Sequence, residues 1–170
     1  IVGRERVARE LRATRARLQD LPDAPDHAAQ VQADREHREA ADEDQARELQ
    51  GEPPRFAVPE KVVVTPETHG TWDDLPDPRF TLWRLRVQVD GALSLNLGFD
   101  RFRLPKGGRL VLHPAGGTEL AREFTERDNR PHGQLWSPVV PGDELIVEVV
   151  VPGYSRARLE LELSSINVGY

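Results

Sequence analysis

Residues 82 to 90 read Leu-Trp-Arg-Leu-Arg-Val-Gln-Val-Asp, and they narrow the folds open to this chain more than any other stretch. Trp83, Leu85, Val87 and Val89 alternate with Arg84, Arg86, Gln88 and Asp90, the period of a strand with one buried face. The same grammar recurs on both sides of it. Lys61 to Val64 is a β-branched run closed by Pro66, and Leu93, Leu95, Leu97 and Phe99 alternate with small or polar residues. Gly91 turns the chain between this last segment and the Leu82–Asp90 strand, so the two are expected to pair as a hairpin. Thr68 to Arg79, with Gly70, Pro76 and Pro78, is expected to be a turn-rich loop.

Further strands are expected at Arg109–His113, Leu120–Phe124, His132–Ser137 and Arg158–Leu163. Leu145 to Val151 is almost wholly Val, Ile and Leu, interrupted by Glu148, which is the composition of a central strand buried on both faces. Short strands with regular turns predict a mainly β fold over residues 53–170: an antiparallel two-sheet sandwich of the jelly-roll or Greek-key type.

Residues 1–52 have another character, rich in Arg, Glu, Asp, Ala and Gln and free of aromatics, and are expected to form a charged helical arm. Val7, Leu11, Leu18 and Leu21 make an apolar seam on a first helix over residues 3–20, and Pro22 and Pro25 end it. Asp23 or Asp26 can cap a second, alanine-rich helix over residues 26–49, which Gly51, Pro53 and Pro54 stop. The seam of the first helix offers a route to self-association.

The net charge of −6, with 31% charged residues of mixed sign, gives no electrostatic case for a nucleic-acid or membrane-surface partner. The arginines of the first helix are diluted by Glu5, Glu10 and Asp20 and read as a solvated face. Without cysteine the chain has no disulfide framework and no thiolate metal site. Nothing reaches the ~18 consecutive apolar residues of a membrane span. The chain opens on Ile1 rather than Met, which suggests a numbering that begins inside a longer precursor.

Chemistry-bearing patterns are sparse. The five histidines, at 27, 37, 69, 113 and 132, are isolated; only His113, at a strand end, and His132, in a turn, could share a site, and ordinary surface histidine is the simpler expectation for both. Gly107-Gly108 and Gly116-Gly117 lack the residues of a phosphate loop and read as turns. Glu160 and Glu162 share one side of a strand, a spacing compatible with paired-acid glycoside hydrolysis, but cross-strand pairing with Arg84 and Arg86 is the simpler expectation. The loop from Thr125 to Asn129 has oxygen ligands for calcium in Asp128 and Asn129, joined by Asp100 or Asp143. Trp83 is in phase with the core, while Trp72 and Trp136 are candidates for a stacking platform. No catalytic or cofactor-binding constellation emerges.

A family resemblance is carried by phrases in order: Thr71-Trp72, Leu82-Trp83-Arg84-Leu85-Arg86, Ser94-Leu95-Asn96-Leu97-Gly98-Phe99, Leu104-Pro105-Lys106-Gly107-Gly108, Asp128-Asn129, His132 through Glu144, and Ile166-Asn167-Val168-Gly169-Tyr170. Together they resemble the region preceding the catalytic domain in bacterial lysyl-endopeptidase-like proteases of the trypsin class, over roughly residues 45–170. Val168 departs from the pattern, which has a histidine there. The resemblance implies a propeptide of a secreted or periplasmic serine-protease precursor, with its partner the downstream protease domain and the catalytic Ser, His and Asp lying in that domain. On this reading the chain is not itself an enzyme, and it acts as a folding aid, an inhibitor or both. Ile1-Val2-Gly3 is similar to the new N-terminus of an activated trypsin-like protease, but a charged helix and no nucleophile loop follow it. Asp128, Asn129, His132, Trp136 and Tyr170 are the expected partner-contacting residues. The alternative is a sandwich module that binds glycan or protein through Trp136 and the Asp128–His132 loop.

Overall fold

The computed structural model describes residues 29–30, 57–115 and 122–169. Strands β1 (Ala29–Gln30), β2 (Val58–Val64), β3 (Thr71–Asp74), β4 (Phe80–Gln88), β5 (Ser94–Arg103), β6 (Arg109–Pro114), β7 (Arg122–Thr125), β8 (Leu135–Trp136), β9 (Val140–Pro141), β10 (Glu144–Pro152) and β11 (Glu160–Gly169) follow one another, with 3-10 turns at Glu126–Asp128 and Gly153–Arg158. They build two sheets. The first runs β1-β4-β10-β6-β7, with β3 also on β4, and the second runs β2-β11-β5-β8, with β9 also on β5. All pairs are antiparallel except β1 beside β4. Set β1 and β3 aside and count β8 with β9 as one interrupted strand. The first sheet then carries the second, seventh, fourth and fifth strands, and the other carries the first, eighth, third and sixth, the double Greek-key order of a jelly roll.

The core lies between the sheets. Trp83, Leu85 and Val87 of β4 and Leu145, Val147, Val149 and Val151 of β10 face Leu95, Leu97 and Phe99 of β5 and Leu161, Leu163, Ile166 and Val168 of β11. Alternation alone would turn Phe102 outward after Leu95, Leu97 and Phe99. The register against β11 passes from Leu163–Phe99 to Glu162–Arg101, so Asp100 is an extra residue that restores Phe102 to the core. There Phe102 meets Phe99 and, across the sandwich, Phe124 of β7, edge to face with ring centroids 6.1 and 6.0 Å apart.

β10 is the central strand its composition predicts, paired along its length with β4 and over most of it with β6. Glu148 and Val150, on its outer side, are buried too, as are Leu82 and Val111 beside them. Leu75, from the connection between β3 and β4, and Phe80, at the start of β4, pack on Leu82 and Val150. The outer face of the first sheet is therefore covered at its centre.

Three expectations are corrected. The Leu82–Asp90 strand and the Leu93–Phe99 segment do not form a hairpin: β4 and β5 belong to different sheets. Both flanks of β4 are taken, by β10 on one side and by β3 and β1 on the other, so the link around Gly91 crosses the edge of the sandwich. The same separation keeps Glu160 and Glu162 away from Arg84 and Arg86. Glu160 instead lies 3.6 and 3.8 Å from Arg101 and Arg103 of β5, Arg84 pairs with Asp73, and Arg86 with Glu144. The expected loop from Thr68 to Arg79 contains β3, in which Trp72 stands opposite Trp83. Gly70 permits this close return: its φ is +74°, and a Cβ there would sit 2.4 Å from the Arg84 carbonyl oxygen. Two indole N–H groups tie the turn down, Trp83 donating to the His69 carbonyl at 2.9 Å and Trp72 to that of Pro66 at 3.1 Å.

Of the two expected helices, only Ala29 and Gln30 are described, and they form strand beside Val87 and Gln88 instead of helix. The rest of residues 1–52, including Val7, Leu11, Leu18 and Leu21, lies outside the described residues.

Trp83 combines full burial with one buried donor, so Trp83→Ala is expected to cost about 3–5 kcal/mol of stability. Urea unfolding followed by far-UV circular dichroism measures it; a loss below about 1 kcal/mol would contradict this account of the core.

Candidate functional site

Asp128, Asn129 and His132 occupy the connection from β7 to β8, and its geometry is that of a clasp. Thr125 caps the 3-10 turn, its hydroxyl accepting from the Arg127 N–H. The two carboxylate oxygens of Asp128 accept from the Thr125 N–H at 2.8 Å and from Arg122 at 3.0 Å. Asn129 grips Leu104 at both ends of its backbone: Oδ1 accepts from the Leu104 N–H and Nδ2 donates to the Leu104 carbonyl, each at 2.9 Å. His132 is exposed, and its Nδ1 accepts from the Gln134 N–H at 3.0 Å. These groups join the β7–β8 connection to the end of β5.

The calcium candidates do not converge. Asp128 and Asn129 meet protein partners near Leu104, just beyond the end of β5, whereas the Asp143 carbonyl accepts from Val89, just beyond β4, at the opposite end of the sandwich. No group of three or more His, Asp or Glu able to hold a metal occurs among the described residues. His113 and His132 stay apart as well, because His113 is buried in the first sheet, 3.5 Å from Glu148. The tryptophans form no common platform: Trp83 is core, Trp72 is partly buried beneath the Arg156 guanidinium at 3.8 Å, and Trp136 lies on the second sheet. Tyr170 lies outside the described residues.

Trp136 is the large apolar side chain among the nominated residues that the structure leaves open, 58% exposed on the outer face of the second sheet. It pairs in register with Gly98, and the next positions across the sheet are Ser165 and Lys61. The neighbouring row holds Pro59, Asn167 and Asn96, followed by Val139, which precedes the core residue Val140 and so turns outward, 64% exposed. Asn167 donates to Asn96 at 2.7 Å, and Asn96 donates to the Ser137 carbonyl. The Ser137 hydroxyl accepts from the Leu97 N–H at 2.9 Å and donates to the Pro138 carbonyl. Gly98 is required by the indole, since a Cβ there would lie 2.6 Å from its ring. The result is a field with Lys61 its one charge in these two rows, flanked toward the end of β5 by the charged row of Arg101 and Glu162.

Sequence reasoning found Trp136 and missed Asn96, Ser137, Val139 and Asn167. Val139 and Val140 are adjacent valines, and nothing local shows which of them faces out. Asn96 did carry a signal, as an amide within the alternating apolar segment.

Two outcomes follow. Asn129→Ala orphans both backbone groups of Leu104 and is expected to cost about 1–3 kcal/mol in thermal unfolding, against no change if the clasp is incidental. Gly98→Ala is expected to push the Trp136 indole off the sheet, raising acrylamide quenching of tryptophan fluorescence; unchanged quenching would refute the close packing.

Residues 17–167 match the family model of the lysyl endopeptidase N-terminal domain. The chain is also 35% identical over 122 residues to a lysyl endopeptidase of Pseudomonas aeruginosa, an alignment covering 68% of this chain and 24% of that relative. It spans about a quarter of the relative's length. The two matches agree, and the chain belongs to the lysyl endopeptidase N-terminal domain family.

Proposed function

We propose that the chain is the non-catalytic prodomain of a secreted serine-protease precursor, acting on the downstream protease domain as a folding aid, an inhibitor or both. The observation that carries this reading is the match to an N-terminal domain family together with a relative of which the alignment covers only 24%. A domain that binds the folded protease and not the unfolded chain stabilises it by mass action, and the same contact can occlude its cleft. None of the described helices is long and apolar enough to cross a membrane.

The relative is a lysyl endopeptidase, and we extend that lysine-directed activity to the protease partner of this chain. The chain has two lysines, Lys61 and Lys106, among 23 basic residues. Neither lies in a loose extended segment of the kind a protease cleft accepts. Lys61 is within β2, paired to Ser165 of β11, with Glu60 buried before it. Lys106 is held in a tight turn in which Gly107 has a φ of +79° and Gly108 donates to the Pro105 carbonyl at 2.8 Å. Cutting after Lys61 requires β2 to peel from β11, and cutting after Lys106 requires the turn to open. Such a domain can survive beside a lysine-directed protease.

Two measurements test the reading. Production of the downstream protease with and without this chain should give a higher yield of folded enzyme, or lower activity on a peptide substrate, when the chain is present; equal yield and equal activity would sink the prodomain role. Incubation with a lysyl endopeptidase should leave the folded chain intact while the urea-unfolded chain is cut after Lys61 and Lys106. Cleavage of the folded chain at either lysine as fast as of the unfolded one would remove the resistance argument.

A second reading, a glycan-binding sandwich, is favoured by the exposure of Trp136 beside the Asn96–Asn167 pair. Loss of retention on polysaccharide or cell-wall material in Trp136→Ala is its expected signature.

A further inference from the structure

We propose that the outer face of the second sheet, centred on Trp136, is the surface on which the downstream protease domain docks. This rests on the prodomain reading and adds to it the place of contact. Four observations converge. The two sheets are unequal on their outer sides: Leu82, Val111, Glu148 and Val150 are buried on the first, whereas Trp136 and Val139 on the second, with Val63 on its edge strand, are 58, 64 and 71% exposed.

The two rows between these groups hold one charge, Lys61, in a chain that is 31% charged, and Trp136 is an aromatic anchor beside them, a combination found at the centre of protein interfaces. The adjoining row of Arg101 and Glu162 gives the field a charged rim. The middle strands present the half-buried Asn96 and Asn167, whose amides are bonded to each other and to backbone, so a partner that covers them strands no unpaired amide.

The location agrees with the covalent plan. About three quarters of the matched relative lies outside the aligned portion. β11, which forms the floor of the field, runs to Gly169, whose carbonyl accepts from the Leu93 N–H at 2.7 Å. Leu93 is itself 69% exposed, so an apolar side chain marks the rim where β11 ends. On the prodomain reading the protease is tethered in the same precursor, and its effective concentration over the faces of this domain exceeds that of a free glycan or a second copy of the chain, which makes it the favoured occupant.

The experiment uses the whole 170-residue chain, added in trans to the separately produced protease domain of its own precursor, with binding read by biolayer interferometry. Trp136→Ala and Val139→Asp each alter an exposed side chain, and circular dichroism confirms their folding. Arg158→Ala, on the exposed turn before β11, is the control away from the field. Weakening of about tenfold or more in both field variants, with the control unchanged, is the expected result.

Wild-type binding that both variants retain would overturn the docking face while leaving the prodomain role standing. Failure of the wild-type chain to bind the protease would overturn both. Chitohexaose and isolated peptidoglycan serve as glycan probes, and light scattering follows the chain alone. Trp136-dependent glycan binding, or Trp136-dependent dimerisation, with protease binding unaltered in the variants, would assign the face to that occupant and refute the proposal.

Discussion

The fold depends on β10 being buried on both sides of its sheet. Its core-facing Leu145, Val147, Val149 and Val151 anchor one half of the sandwich, while Glu148 and Val150 are buried on the other side. A strand so placed must have both neighbours, because unpaired backbone groups at such depth cost free energy comparable to a lost hydrogen bond. β4 and β6 fill those positions. Once β4 has β10 on one flank and β3 and β1 on the other, no position remains for β5, and the second sheet has to assemble elsewhere around β11. The jelly-roll order follows from this occupancy as much as from any local turn.

That arrangement decides which chemistry is available. Carboxylates and arginines that look complementary along the chain are sorted into separate sheets, so Glu160 pairs with arginines of β5 and Arg84 with Asp73. Asp128 and Asn129, polar enough to suggest a ligand site, are engaged with protein groups, Asp128 closing the 3-10 turn on Thr125 and Arg122 and Asn129 holding the β7–β8 connection to Leu104. Their hydrogen bonds explain the presence of these residue types without any ligand. Val168, which departs from the histidine of the resembling family, is fully buried in the core facing the first sheet, where an aliphatic side chain needs no polar partner.

The open field around Trp136 is the complement of this economy. Its exposed tryptophan and valines are bordered by polar groups that have already found one another, and Gly98 lets the indole lie close to the sheet. A jelly roll whose first sheet is covered and whose second is partly open is built to present one face. Membership in a family of N-terminal domains gives that asymmetry its biological setting.

The amino-acid sequence by itself determined where strands run and which side of β4 is apolar, because side-chain alternation is a property of the extended backbone and needs no partner to be read. It also determined the central character of β10, since only a strand covered on both faces tolerates so continuous an apolar run. Trp136 was legible as a candidate because a tryptophan off the clear core phase is conspicuous. Tertiary structure alone decided which strand pairs with which, that β3 would form within a turn-rich segment, and that Asp100 would be the extra residue restoring Phe102 to the core. Pairing is a competition among distant segments for a limited number of edges, and its outcome depends on packing across the whole sandwich. For the same reason Asn96, Ser137, Val139 and Asn167 came together only in space: they lie on two strands and a connection, and no local pattern brings them to one face.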